Sequence, residues 1–195
     1  MILRHNDVAG QSETGAGCHD ASADMSDDPD STSAGLVVAV DVRASDWQGD
    51  VPDIEAKVRQ AACSAIAAEI ANVEGIEVSI VLADDATVRV LNRDYRGRDA
   101  PTNVLAFPQG AASEQAAGPL LLGDVVLAYE TVRREAVAQG KTLADHTRHL
   151  VVHGLLHLCG FDHDTEASAT DMERREIAIL AALGVADPYV ERRAP

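Results

Sequence analysis

Two kinds of apolar pattern alternate along the chain between residues 36 and 183. Short dense runs read as strands: Leu36–Val42, Glu77–Leu82, Pro101–Pro108 and Leu120–Ala128, rich in β-branched residues and bounded by turn-forming ones. Between them apolar residues recur every three or four positions. Ile54, Val58, Ala61, Ala62, Ala65, Ile66 and Ile70 predict a long amphipathic helix over Asp53–Asn72, with Asp53 placed to cap it. Similar patterns predict helices from Asp84 to about Tyr95, from Tyr129 to Gln139 ahead of Gly140, from about Thr142 to Cys159, and from Asp164 to Leu183 ahead of Gly184. Trp47 and Pro52 fall in the connection after the first strand. Prolines at both ends of the third run suit a sheet edge, where a missing N–H costs no ladder bond. Four strands mixed with about five helices predict an α+β fold, with a single mixed four-stranded sheet packed against the helices.

Residues 1–34 break this pattern. They are rich in Ser, Asp, Gly and Ala with no apolar periodicity, so the segment has nothing to bury against its ordering entropy and is expected to be a disordered acidic extension. Residues 35–195 are expected to form one domain. Residues 109–119 read as a Gly/Ala/Ser loop. No internal repeat is present.

Composition changes the picture in three ways. With two Phe, three Tyr and one Trp in 195 residues, the core has to be aliphatic. Cys18, Cys63 and Cys159 form no CxxC pair and cannot all pair within the chain, which fits a reducing cytosol. Cys159 is expected to be a small buried apolar residue. The amino terminus lacks a basic region followed by an apolar run, and no stretch reaches the roughly 18 apolar residues of a membrane span; the protein is expected to be cytoplasmic and, in the absence of any assembly signal, monomeric. The formal charge is −16, of which residues 1–34 contribute seven acidic side chains and one basic one. A chain this acidic binds free nucleic acid weakly, because non-specific affinity for phosphates comes from positive charge. Any nucleic-acid recognition has to be local or assisted by a partner.

The chemistry concentrates in His153-Gly-Leu-Leu-His157-Leu-Cys-Gly160-Phe-Asp-His163. Two histidines four apart stand one turn above the other on a helix, about 6 Å apart at Cβ, so both rings can reach one ion. Gly160 can take the left-handed conformation that ends a helix, and the chain then turns back to present His163. Three neutral nitrogens leave a fourth position open, the arrangement of a catalytic rather than a structural zinc. His149 and His157 are eight apart, about 12 Å along a helix, and cannot share one ion; His149 is expected to support a ligand or face the substrate. The spacing also matches the zincin pattern, except that Gly154 occupies the position of the glutamate that serves as general base in peptide hydrolysis.

Taken with Asn92–Pro108 and Leu122–Val126, the segment His149–His163 resembles the YbeY family of bacterial rRNA maturation factors, over roughly residues 36 to 191. The resemblance implies a zinc-dependent endoribonuclease acting on single-stranded regions of ribosomal RNA, with the ribosome or its associated proteins as partners. It implies one Zn²⁺ per chain held by His153, His157 and His163, and Arg96 as an arginine in the cleft. Where the family often carries serine, this chain has Ala106.

Arg89, Arg93 and Arg96 are spaced to share one helix face, either as a solvated face or as a contact for phosphate. Asp124, near the middle of the fourth strand, is placed either to orient a histidine ligand through its second ring N–H, as carboxylates behind metal sites do, or to cap the strand end. Asp162 and Asp164 flank His163 as turn residues or orienters. On the favoured reading Arg96 steadies charge on the phosphate undergoing hydrolysis. Two other readings compete with a ribonuclease: an assembly factor whose zinc only holds the fold, and a peptide hydrolase, which Gly154 disfavours.

Overall fold

In the computed structural model the described residues are 35–109 and 119–190. The acidic segment 1–34, most of the Gly/Ala/Ser loop and residues 191–195 lie outside them. Ten elements follow in order: β1 (Val37–Val42), α1 (Asp46–Asp50), α2 (Ile54–Glu69), β2 (Ile76–Ala83), α3 (Asp85–Arg96), β3 (Val104–Pro108), β4 (Leu120–Ala128), α4 (Tyr129–Ala138), α5 (Leu143–Leu158) and α6 (Glu166–Ala182). The sheet runs in the order β1-β2-β4-β3. β1, β2 and β4 are parallel, while β3 lies antiparallel to β4 at the edge. The fold is thus α+β, with a single mixed four-stranded sheet.

Six helices are described where five were expected. The additional one, α1, is five residues long and has no periodic pattern of its own. It forms because Trp47 is fully buried there and its indole N–H donates to the Ala83 carbonyl at 3.0 Å. Asp53 stands at the start of α2 without making a side-chain cap; its carboxylate pairs with Lys57 instead at 2.8 Å. Asp84 does cap α3, accepting from Thr87 N–H at 2.8 Å.

The two faces of the sheet carry separate cores, because successive side chains of a strand point to opposite sides. Val78, Ile80, Leu82, Val125 and Leu127 pack with α2 and α5 in the larger core. Val81, Ala83, Leu105, Val126 and Ala128 pack with Val88 and Leu91 of α3 in the smaller one. α5 therefore lies on the face opposite α3, and α6 packs against α5 and α2 from outside. At Gly123 the pairing of β4 with β2 slips by one residue. Gly123 has φ +135°, and a Cβ there would fall onto the Phe107 carbonyl of β3, so this bulge requires glycine. None of the described helices is long and apolar enough to cross a membrane.

Candidate metal centre

α5 begins at Thr142, whose hydroxyl accepts from the Asp145 N–H at 3.0 Å. It ends in a glycine turn: Gly160 has φ +90°, and the Phe161 N–H returns to the Leu156 carbonyl at 3.0 Å. That bond, five residues back, reverses the chain and carries His163 toward the end of the helix. The Phe161 ring lies under the Arg175 guanidinium, 4.3 Å from its centroid, and Arg175 is itself paired to Glu69 and Asp171. The turn is thereby tied to α2 and α6. Asp162 accepts from the His163 N–H at 2.7 Å and so acts as a turn residue.

One ligand atom from each of His153, His157 and His163 lies within 4.8 Å of the others. The His153 and His157 Nε2 atoms are 3.2 Å apart. Two nitrogens bound tetrahedrally at 2.0–2.1 Å would be separated by about 3.3 Å, so this spacing fits a shared zinc-sized ion. Each ring's other nitrogen is committed. The His153 Nδ1–H donates to Glu176 Oε1 at 2.7 Å, and the His157 Nδ1–H donates to the Phe161 carbonyl at 3.0 Å. These bonds select the tautomer whose Nε2 lone pair faces the common point. Burial, reinforced by the nearby His153 and His163, holds the His157 pKa below its ordinary value, which favours the neutral, ligating form. This donor set fits a zinc ion.

Glu176, on α6, is the residue that sequence reasoning missed. It is fully buried, and burial alone would raise its pKa. Hydrogen bonds from His149, His153 and Tyr189 outweigh that effect and hold it down at about 2. His149 Nε2 lies 3.3 Å from its second oxygen, to which the Tyr189 hydroxyl also donates. His149 thus stands behind the triad through Glu176, and burial keeps its own pKa low. A signal for Glu176 was present in the sequence: it falls on the apolar stripe of α6 with Met172, Ile179 and Leu180, where a carboxylate needs partners.

Asp124 does not take this role. Its neighbour Val125 points toward α5, so Asp124 faces the opposite side of the sheet. No hydrogen bond joins it to a histidine among the described residues. Gly154 is equally informative, since a Cβ there would stand 2.8 Å from Val125 Cγ1 and 3.3 Å from Cγ2. The position that would carry a peptidase glutamate is turned into the sheet, where no carboxylate fits. Cys159 is half-buried, and burial raises its thiol to about 11, leaving it protonated.

The three arginines of α3 are not equivalent. Arg89 grips both oxygens of Asp99 at 2.7 and 2.8 Å, and Arg93 pairs with Asp94 at 2.8 Å. Arg96 and Arg98 are exposed, and their guanidinium groups make no hydrogen bond or ion pair among the described residues. Arg96 is the last residue of α3, next to Tyr95, whose ring meets Phe107 of the edge strand at 5.1 Å. That places it beside β3 but outside the residues lining the cavity next to the histidines.

Residues 41–184 match the family model described as Endoribonuclease YbeY. The chain is 52% identical over 160 residues to the Endoribonuclease YbeY of Paramagnetospirillum magneticum, covering 80% of this chain and 98% of the relative. It is 50% identical over 167 residues to that of Rhodospirillum rubrum, covering 81% and 84%. Among solved structures it is similar to the solution structure of TM1509 from Thermotoga maritima, with a TM-score of 0.48 and 21% identity, over 81% of this chain and 91% of that one.

Proposed function

The chain belongs to the YbeY family, and on that premise we propose that it is a zinc-dependent endoribonuclease that cuts single-stranded regions of small-subunit ribosomal RNA precursors in the cytoplasm. The observation that carries this reading is the convergence of three imidazoles, two of them, His153 and His157, with their outer nitrogens tied off. His153, His157 and His163 would hold the ion, which when bound supplies Lewis-acid polarisation of a phosphate oxygen and activation of water.

The protein's own residues do the rest. Glu176 and the Phe161 carbonyl fix the orientation and tautomer of two ligands, and the ion-paired Arg175 holds the turn that carries the third. Arg96, uncommitted to any carboxylate among the described residues as Arg98 also is, and matching the arginine of the family's motif, is the guanidinium assigned to the charge that develops on phosphate. Arg89 and Arg93 are already neutralised by Asp99 and Asp94, so they add little to the binding of a polyanion. With a net charge of −16, productive engagement of RNA depends on partners at the ribosome that bring the strand to the site.

Depletion of the protein tests this reading in the cell. A precursor of small-subunit RNA should accumulate, and the parent gene should restore processing where His157→Ala does not. Equal rescue by His157→Ala would favour a non-catalytic assembly factor.

A further inference from the structure

A cavity of about 730 Å³ opens beside the triad, sharing His153 and His163 with it and continuing along α5 past Leu150 to His146. Seven residues of helix separate His153 from His146, about 10 Å of rise. The space therefore reaches well beyond what an ion and its water need, and it lies within the range of small-molecule sites.

The walls are of two kinds. Val104, Leu150, Ala169, Met172 and the Tyr189 ring supply apolar surface, while Glu135, Gln139 and Lys141 bring polar edges. The polar groups are braced in advance. Glu135 takes hydrogen bonds from Asn103 Nδ2 at 3.0 Å and from His146 at 2.9 Å, and Lys141 donates to Gln139 at 2.7 Å and to the Pro188 carbonyl at 3.1 Å. Three carboxylates line the cavity, those of Glu135, Glu173 and Glu176, against one lysine. Away from the triad, where a bound ion would supply positive charge, that balance disfavours phosphate. A part of an RNA strand that enters has to be uncharged, flat and apolar on its faces, with hydrogen-bonding edges.

We infer that this cavity is a subsite for one unstacked nucleobase, flanking the bond that is cut at the triad. The inference rests on the ribonuclease reading and deepens it: the enzyme engages a base drawn out of the stack, as enzymes and proteins that read single strands do. Unpaired segments are preferred because extracting a base from a duplex carries an additional unpairing cost. Ala169, half-buried near the start of α6, borders the space, and a tryptophan there takes up volume that a base would need while leaving the histidines and Glu176 themselves unaltered in sequence.

Two measurements test the subsite. In the first, binding of adenosine, cytidine and ribose 5-phosphate to the metal-loaded protein is followed by ligand-observed NMR. Both nucleosides should bind at least about tenfold more tightly than the sugar phosphate, on the scale of one stacked base, and Ala169→Trp, checked for native circular dichroism and metal content, should lose them. Ribose 5-phosphate binding as well as the nucleosides would overturn the subsite, as would nucleoside binding unchanged in a folded Ala169→Trp. In the second, a single abasic residue is moved along a cleavable oligoribonucleotide. One position beside the cut should lower kcat/KM about tenfold or more in the parent and less than about twofold in Ala169→Trp. Cleavage indifferent to base loss at every position overturns the subsite and leaves the ribonuclease standing. Nucleoside binding by a protein that cleaves no RNA keeps the subsite and removes the ribonuclease.

Discussion

The Nε2 atoms of His153 and His157 face each other at 3.2 Å while the Nδ1 of each ring is bound elsewhere, to Glu176 and to the Phe161 carbonyl. Two imidazole lone pairs held this close repel unless a cation lies between them. The purified protein should accordingly hold close to one equivalent of zinc. His153→Ala, His157→Ala and His163→Ala should each lose most of it, measured by elemental analysis after dialysis. His149→Ala should retain metal, since His149 reaches the triad only through Glu176. Loss from His149→Ala as severe as from His163→Ala would refute the ligand assignment.

Glu176 gives a pH dependence whose sign can be worked out. Its folded-state pKa of about 2 lies below the ordinary 4.5, so the carboxylate contributes stability that is fully present above pH 4.5 and is lost as pH falls toward 2. In the metal-free protein, Glu176→Gln should cost roughly 1–3 kcal/mol near neutrality, by weakening three hydrogen bonds to a buried acceptor. The gap between variant and parent should shrink as pH falls through that window. Urea midpoints at a series of pH values read this directly; a gap that stays constant from pH 6 to 3 would show that the charge of Glu176 is not what stabilises.

Much of this site was legible in the sequence, because its central part is local. His153 and His157 are four apart on one helix, Gly160 ends that helix, and His163 follows three residues later; spacing and turn chemistry suffice for such a unit. Glu176 lies 23 residues from His153, and only the packing of α6 on α5 brings them together. Asp124 was left open between two roles for a related reason. Sequence placed it on the right strand, but which face it takes is set by how β4 docks on α5. α1 escaped notice because burial of one indole, rather than any repeat, holds five residues in a helix. The sheet was easier: its strands are dense apolar runs, and the prolines flanking the third marked the edge strand.

Gly154 is a packing requirement that can be weighed. Gly→Ala within a helix normally gains about 1 kcal/mol of helix propensity. Here the new Cβ would sit 2.8 Å from Val125 Cγ1 in the core, and overpacking of that kind costs roughly 1–3 kcal/mol. Gly154→Ala should therefore lower the melting temperature, and Val125→Ala should relieve part of the loss, with a favourable coupling of about 0.5–1 kcal/mol in a double-mutant cycle. A melting temperature raised by Gly154→Ala would mean that α5 sits farther from the sheet than described.

The arginines of α3 should separate in RNA cleavage assays. Arg96 has no partner among the described residues, whereas Arg89 is gripped by Asp99. Arg96→Ala should lower kcat/KM by about 10²-fold, on the scale of one lost donor to a developing oxyanion, with metal content unchanged. Arg89→Ala should change it little. Its effect should appear as a salt dependence of binding altered by no more than about one phosphate contact. If the two variants were equally impaired, the pairing of Arg89 with Asp99 would have to break when RNA binds.

The central claim is tested most directly by one cleavage experiment. Zinc-loaded parent protein, the same protein treated with chelator, and His157→Ala purified in parallel are each incubated with a single-stranded fragment of ribosomal RNA, and the products are resolved by length. Internal cuts by the loaded parent alone, restored when zinc is returned to the chelated sample, are the predicted result. Cleavage at the same rate by all three preparations, or none by the loaded parent, would contradict the account.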